Sequence, residues 1–284
     1  MKAAVFREVG KPLQVEDVQI NKPGPHEVLI RTAAAGLCHS DLHFIEGSYP
    51  TILPAVLGHE SAGVVEAVGS EVRTVQVGDH VITCLSAYCG HCESCLTGHL
   101  SLCVSPDTKR RPDEEPRLSS ATGPMAQYLN LSSFAEQMLI HEHACVAIRK
   151  DMPLDRAALI GCSVMTGVGA AMHTSKVRPG ETVAVIGLGG VGLAAVNGAA
   201  TASTIVPSAV SYRAAATAKS PVHRFEPSRS TGAMLSACEV MHRLAWEVFP
   251  NVSGIFAGTS EEEEVAESAS ASVVSLRAGG SHGE

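Results

Sequence analysis

The side chains best able to do chemistry in this chain stand in four short groups. Cys89, Cys92, Cys95 and Cys103 crowd into one stretch, with 2, 2 and 7 residues between successive members. Four of the nine cysteines fall within fifteen positions there, whereas free cysteines are ordinarily scattered through a core. Thiolates at this density match a tetrahedral Zn²⁺ site closed to water. A pair of disulfides would need an oxidising compartment, and the opening Met1-Lys2-Ala3-Ala4-Val5-Phe6-Arg7-Glu8 reads as a strand broken by charge, not as a secretory leader. A zinc ribbon for nucleic acid expects two cysteine pairs split by a long spacer and a basic surface. Here the net charge is −8.

A closed four-thiolate site holds a loop and does no chemistry, so reactive groups must come from elsewhere. Gly36-Leu37-Cys38-His39-Ser40-Asp41-Leu42-His43 offers a thiol followed by several groups able to hold or move protons. Gly58-His59-Glu60 puts an imidazole and a carboxylate at the head of a valine-rich strand pattern. No second histidine follows Glu60 at helical spacing, so a metalloprotease motif is excluded. Gly161-Cys162 precedes Thr166 and an alanine-rich helical run. Taken singly, Cys38 and Cys162 read as small buried hydrophobes and His59 as a hydrogen-bonded core histidine. Only their combination points elsewhere.

The fourth group is Gly187-Leu188-Gly189-Gly190-Val191-Gly192, which comes directly after the apolar run Thr182 to Ile186 and opens an alanine-rich helix. That strand–turn–helix context is what a dinucleotide fingerprint requires. Gly187 makes the tight turn, Gly189 lets the backbone approach a pyrophosphate, and Gly192 lets helix and strand pack closely. The diphosphate sits on the helix N-terminus.

The order Cys-x-Ser-Asp-x-His, then Gly-His-Glu-x-x-Gly-x-Val-x-x-Val-Gly, then Val77-Gly78-Asp79-His80-Val81, then the cysteine quartet, then Gly-Cys-x-x-x-Thr-Gly closely resembles the zinc-dependent medium-chain alcohol dehydrogenases, in the longer subtype with a four-cysteine zinc loop. The resemblance covers about residues 1–200. It implies two Zn²⁺ ions. Cys89, Cys92, Cys95 and Cys103 would hold a structural one. Cys38, His59 and Cys162 would hold a catalytic one with its fourth position open, the ligand set for which alcohol dehydrogenase is the standard example. Glu60 would lie beside that metal, tuning it or exchanging in as a ligand. Ser40 would take the alcohol proton and His43 would pass it to solvent, while Asp41 orients His59. His39 would face the pyrophosphate, Thr166 the nicotinamide, and Gly187, Gly189, Gly190 and Gly192 the cofactor backbone. The implied reaction moves a hydride between a small alcohol or aldehyde and NAD, with NADP the alternative cofactor.

The elements that must position these groups can be read from the punctuation. The fold class is α/β. Residues 1–155 resemble the family's GroES-like, partly open β-barrel, with the zinc loop 89–103 as an excursion, a polar loop over 104–124, and His141 and His143 as surface histidines. An N-capped helix from Asp155 leads into a Rossmann-type cofactor domain over 156–206, which reads as truncated. The expected ribose-binding carboxylate is missing: no Asp follows Asp155, and no Glu lies between Glu181 and Glu226. Ser203 to Val206 is the candidate second strand, and Ser211 with Arg213 would suit a 2′-phosphate. Residues 207–284 form an unassigned tail, frame-shifted or disordered, that includes the run Glu261 to Glu264.

With 45% apolar residues the chain can build a core, and no uninterrupted apolar stretch is long enough to cross a bilayer. Reduced thiols imply the cytoplasm. Acidic charge argues against nucleic acid. A homo-oligomer is not legible, because the family's dimer-forming strands are not recognisable. Two function classes stand: a zinc-dependent oxidoreductase, and a zinc-binding, catalytically silent remnant of one.

Overall fold

The computed structural model describes residues 1–203, 214–215 and 272–276. The chain divides into two compact units, Met1–Cys162 and a second beginning at Ser163. The sequence readings on Thr204 to Val206, Ser211, Arg213 and the glutamate run lie outside the described residues.

The first unit is built from β1 (Lys2–Phe6), β2 (Gln14–Asp17), β3 (Gln19–Ile20), β4 (Glu27–Gly36), β5 (Ala55–Val56), β6 (Glu60–Val68), β7 (His80–Thr83), β8 (Leu118–Ser120), β9 (Gly123–Pro124), β10 (Ala126–Gln127), β11 (Gln137–His141) and β12 (Cys145–Ile148). The short helices α1 (His39–Ile45), α2 (Glu93–Leu96) and α3 (Leu154–Ala157) interrupt them. The central sheet runs β11-β4-β6-β7-β12, with every neighbouring pair antiparallel. A second sheet runs β10-β5-β1-β2, and β3-β8-β9 forms a third. Strand-favouring valines and isoleucines explain the central sheet: Val28 and Ile30 of β4, Val65 of β6, Val81 of β7, and Met138 and Ile140 of β11 form one buried cluster. Full burial of such side chains is worth roughly 1.5–3 kcal/mol each. Register shifts between Leu29 and Ile30 and between Thr32 and Ala34 bend β4 against β6.

The polar loop over 104–124 is not fully exposed: Thr108, Arg117 and Leu118 are buried. Arg110 and Arg117 both bind the buried Glu27 carboxylate at 2.6 Å, so the loop is tied to β4. His141 is not on the surface either, being only 6% exposed at the end of β11. In addition, Pro153 caps α3, and Asp155 lies in its first turn.

In the second unit, α4 (Ser163–Gly169) continues into a π-helical turn, Ala170–Thr174. Strand β13 (Thr182–Ile186) then leads into α5 (Gly190–Ser203). Ser203 thus ends a helix and does not open a strand. β13 lies between β14 (Ala214–Ala215), which pairs with it in parallel, and β15 (Ser272–Leu276), which pairs antiparallel.

Candidate metal and cofactor sites

Three separate stretches of the first unit bring Cys38, His59 and Cys162 together. Cys38 is the residue before α1, where the chain leaves β4; His59 precedes β6; Cys162 ends the unit. Their ligand atoms all lie within 4.8 Å of one another. Gly58 makes the approach of His59 possible, since its φ is +93° and a Cβ there would strike Phe134 and Ser133. Only glycine adopts that conformation without strain.

Asp41, 3% exposed on α1, organises the cluster. It accepts hydrogen bonds from the backbone N–H groups of Cys38 at 3.1 Å and Gly58 at 3.3 Å, and from His59 Nδ1 at 3.0 Å. With Nδ1 committed as donor, Nε2 of His59 is left to bind a metal.

Electrostatics reinforce the geometry. Cys38 shares a hydrogen bond with the Cys162 thiol, which, with donors from His59 and Ser40 and against the cost of burial, lowers its pKa to about 3. Cys162 keeps the shared proton, its own value pushed up by the neighbouring Cys38 sulfur, burial and Glu60. Burial opposes charge on His59, yet the Asp41 hydrogen bond and the Cys38 thiolate raise it to about 10. The cluster thus gathers anionic and cationic groups that a divalent metal would satisfy with loss of protons from His59 and Cys162. Two sulfurs and one imidazole, with no fourth protein donor in the group, fit a zinc site that keeps a position open.

Glu60 is buried beside Cys162 but lies outside this three-donor group. The Ser40 hydroxyl is 3.6 Å from Cys38 Sγ. His43 Nδ1 is buried without a hydrogen-bond partner among the described residues. Its ring meets His39 edge-on at 4.7 Å and Tyr49 at 5.6 Å. No hydrogen bond joins Ser40 to His43 among the described residues, so a relay between them needs a bridging hydroxyl.

The four-cysteine group also closes on itself. Cys92 Sγ is 3.5 Å from Cys95 and 3.9 Å from Cys103, and Cys89 is 3.9 Å from Cys95. A tetrahedron with Zn–S bonds of about 2.3 Å has edges of about 3.8 Å, whereas a disulfide requires about 2.05 Å. Backbone N–H groups of Cys89 and Cys92 point at the sulfurs of Cys103 and Cys89. Backbone donation from His91 and Cys92 helps lower the Cys89 pKa to about 6, and burial pushes Cys95 up to about 11. His91 bridges the Cys89 carbonyl and Asp107, tying the cysteine loop to the 3₁₀ turn at Pro106–Thr108.

In the second unit Gly187 sits between β13 and α5 with a φ of +88°, the turn its motif demands. Gly189 precedes α5, and Gly190 and Gly192 fall in its first turn. Thr166 lies on α4, where Gly167 packs so closely against the Val191 carbonyl that a Cβ would clash. His39 is an exposed residue at the start of α1.

Tyr128 escaped the sequence reading. Its ring meets His59 edge-on at 5.9 Å, and nothing local in its sequence marks it, because the contact joins distant parts of the chain. Burial raises its phenol pKa, and the charges of Asp41, Cys38 and Cys162 push in the same direction.

The sequence profile of the Alcohol dehydrogenase GroES-like domain matches residues 24–150. A Mycobacterium tuberculosis protein assigned as alcohol dehydrogenase D is 36% identical over 269 residues, which cover 93% of this chain and 72% of that protein. The chain belongs to the alcohol dehydrogenase family. An alignment covering that share of the chain must run past residue 200, so the family likeness extends beyond the motif-bearing segment. Among solved structures, an alcohol dehydrogenase zinc-binding domain protein from Burkholderia ambifaria is 40% identical with a TM-score of 0.65, covering 71% of this chain and 56% of that one. Benzyl alcohol dehydrogenase from Acinetobacter calcoaceticus is 34% identical with a TM-score of 0.64, covering 71% and 55%. The chain therefore spans just over half the length of these solved structures. Among the described residues, no single helix is long and apolar enough to cross a membrane.

Proposed function

We propose that this alcohol dehydrogenase family member is a zinc-dependent oxidoreductase that moves a hydride between a small alcohol or aldehyde and NAD. The observation that carries the reading is the three-donor cluster of Cys38, His59 and Cys162, oriented by Asp41 and leaving one metal position open. Zinc bound there supplies Lewis acidity to the substrate oxygen. The chain's own residues do the rest. Asp41 fixes the ring of His59; Ser40, at the mouth of α1, takes the alcohol proton; His43 carries it outward through a bridging hydroxyl. Glu60 tunes the charge on Cys162. Cys89, Cys92, Cys95 and Cys103 hold a second, structural zinc. The turn at Gly187 and the start of α5 with Gly189, Gly190 and Gly192 form the pyrophosphate cradle. Thr166, on α4 of the same unit, adds a contact to the nicotinamide. Such closely spaced, unbonded thiols suit a reducing compartment, which supports a cytoplasmic location.

A second reading, a zinc-binding chain that holds cofactor poorly, is favoured by one observation: no carboxylate follows the glycine motif until Glu226. Losing one charge-assisted hydrogen bond to the ribose would cost about 1.5–3 kcal/mol, or about one to two decades of affinity. Titration of the purified chain with NADH, followed by the nicotinamide fluorescence change, separates the two. Micromolar binding together with alcohol-dependent NAD reduction supports the oxidoreductase. Zinc retention without cofactor binding supports the silent reading.

A further inference from the structure

We propose that the Tyr128 hydroxyl donates a hydrogen bond to an anionic oxygen held beside Cys38, His59 and Cys162, a role that rests on the oxidoreductase reading above. The side chain is 4% exposed and its hydroxyl is buried with no hydrogen-bond partner among the described residues. A buried hydroxyl without a partner costs stability, and a phenylalanine would fill the same space without that cost. The ring is wedged edge-on between His59 at 5.9 Å and Phe44 at 4.8 Å. A phenol carries its proton at neutral pH, so what it offers an anionic ligand is a donor.

The backbone that carries Tyr128 is strained in a way that needs a reason. Leu129, Asn130 and Ser132 all have positive φ, at 46°, 62° and 58°, a region that residues with a Cβ rarely adopt and that tends to be retained at functional sites. Hydrogen bonds hold the turn in place. Ser132 Oγ accepts the Tyr128 N–H at 2.8 Å and donates to the Val56 carbonyl at 2.7 Å. The Asn130 amide donates to the Leu85 carbonyl at 3.0 Å, and the Ser133 N–H to the Gly58 carbonyl at 3.1 Å. The strained turn is thus fastened to the strand end that delivers His59, which fixes the phenol relative to the metal ligands. Ser40 and Tyr128 would then be two hydroxyls serving one substrate oxygen, the first accepting its proton and the second stabilising the charge left behind.

The test uses the full chain loaded with Co²⁺, whose visible absorption reports ligands at the open position, and two probes. Trifluoroethanol binds through an oxygen able to carry negative charge; imidazole binds through nitrogen and offers no such oxygen. Tyr128→Phe should weaken trifluoroethanol binding by about 10-fold, the loss expected for one hydrogen bond to a charged acceptor, while imidazole affinity stays within about twofold of the parent. Equal trifluoroethanol affinity in parent and variant overturns the proposal. So does an equal loss for both probes, which would make Tyr128 a space-filling ring. If Cys38→Ser leaves the cobalt spectrum unchanged, the metal assignment itself fails, and the Tyr128 proposal with it.

Discussion

Asp41 carries more of the site than any ligand taken alone, because one carboxylate orients His59, caps the first turn of α1 at Cys38 and anchors the backbone at Gly58. Asp41→Ala is expected to lower the metal affinity of the Cys38–His59–Cys162 site by about 10- to 100-fold, the usual effect of losing such support. Chelator competition would read this, and the four-cysteine site should be unaffected. His43→Ala should reduce turnover at neutral pH by roughly 10- to 100-fold, with partial rescue by imidazole buffers; unchanged turnover would remove His43 from proton transfer. His141 supplies a pH-dependent term of definite sign. Burial, helped by His143 and Arg117, lowers its pKa from 6.5 to about 4, so the unfolded chain takes up that proton first. Its contribution to stability is therefore fully present above pH 6.5 and is lost as pH falls toward 4, by up to about 1.4 kcal/mol per pH unit. His141→Asn, which keeps an acceptor for the His143 N–H, should flatten the pH dependence of the urea midpoint across that range.

At the scale of elements, the structure is stapled by contacts that no local pattern announces. The four-cysteine stretch stands out locally because its thiols fall within fifteen positions, whereas Cys38, His59 and Cys162, far apart in the chain, read singly as core residues and were picked out only by the family resemblance. The glycine turn before α5 was legible locally, since Gly187 is flanked by the strand and helix it joins. The anchoring of 104–117 was not, because its hydrophilic residues look solvated until Glu27, far away on β4, supplies the countercharge for Arg110 and Arg117. Tyr128 and His141 failed to stand out for a related reason: one is set by a strained turn and the other by packing at the end of β11. Glu27→Gln should destabilise the first unit by about 3–5 kcal/mol, since it leaves a buried guanidinium without its partner. Urea denaturation would measure the loss. A change below about 1 kcal/mol would mean that the loop is held by its other contacts.

On the scale of the whole chain, the first unit contains both cysteine clusters, while the second provides a strand, a glycine turn and a helix. Family membership fixes the general chemistry of the relatives, and the two clusters determine whether this chain can take part in it. One cluster has four sulfurs, the number a closed structural ion takes; the other has three donors, the number a zinc site with an open position uses. The two should respond differently to mutation, because a closed site contributes folding free energy directly and an open one contributes less. Two independent zinc sites are tested most directly by metal content per chain, measured on the parent, Cys38→Ser and Cys92→Ser. The expected result is two zinc ions in the parent and one in each variant, with a large loss of thermal stability for Cys92→Ser and a small one for Cys38→Ser. A single ion in the parent, or loss of both ions in either variant while it remains folded, would mean that the two clusters are not independent zinc sites.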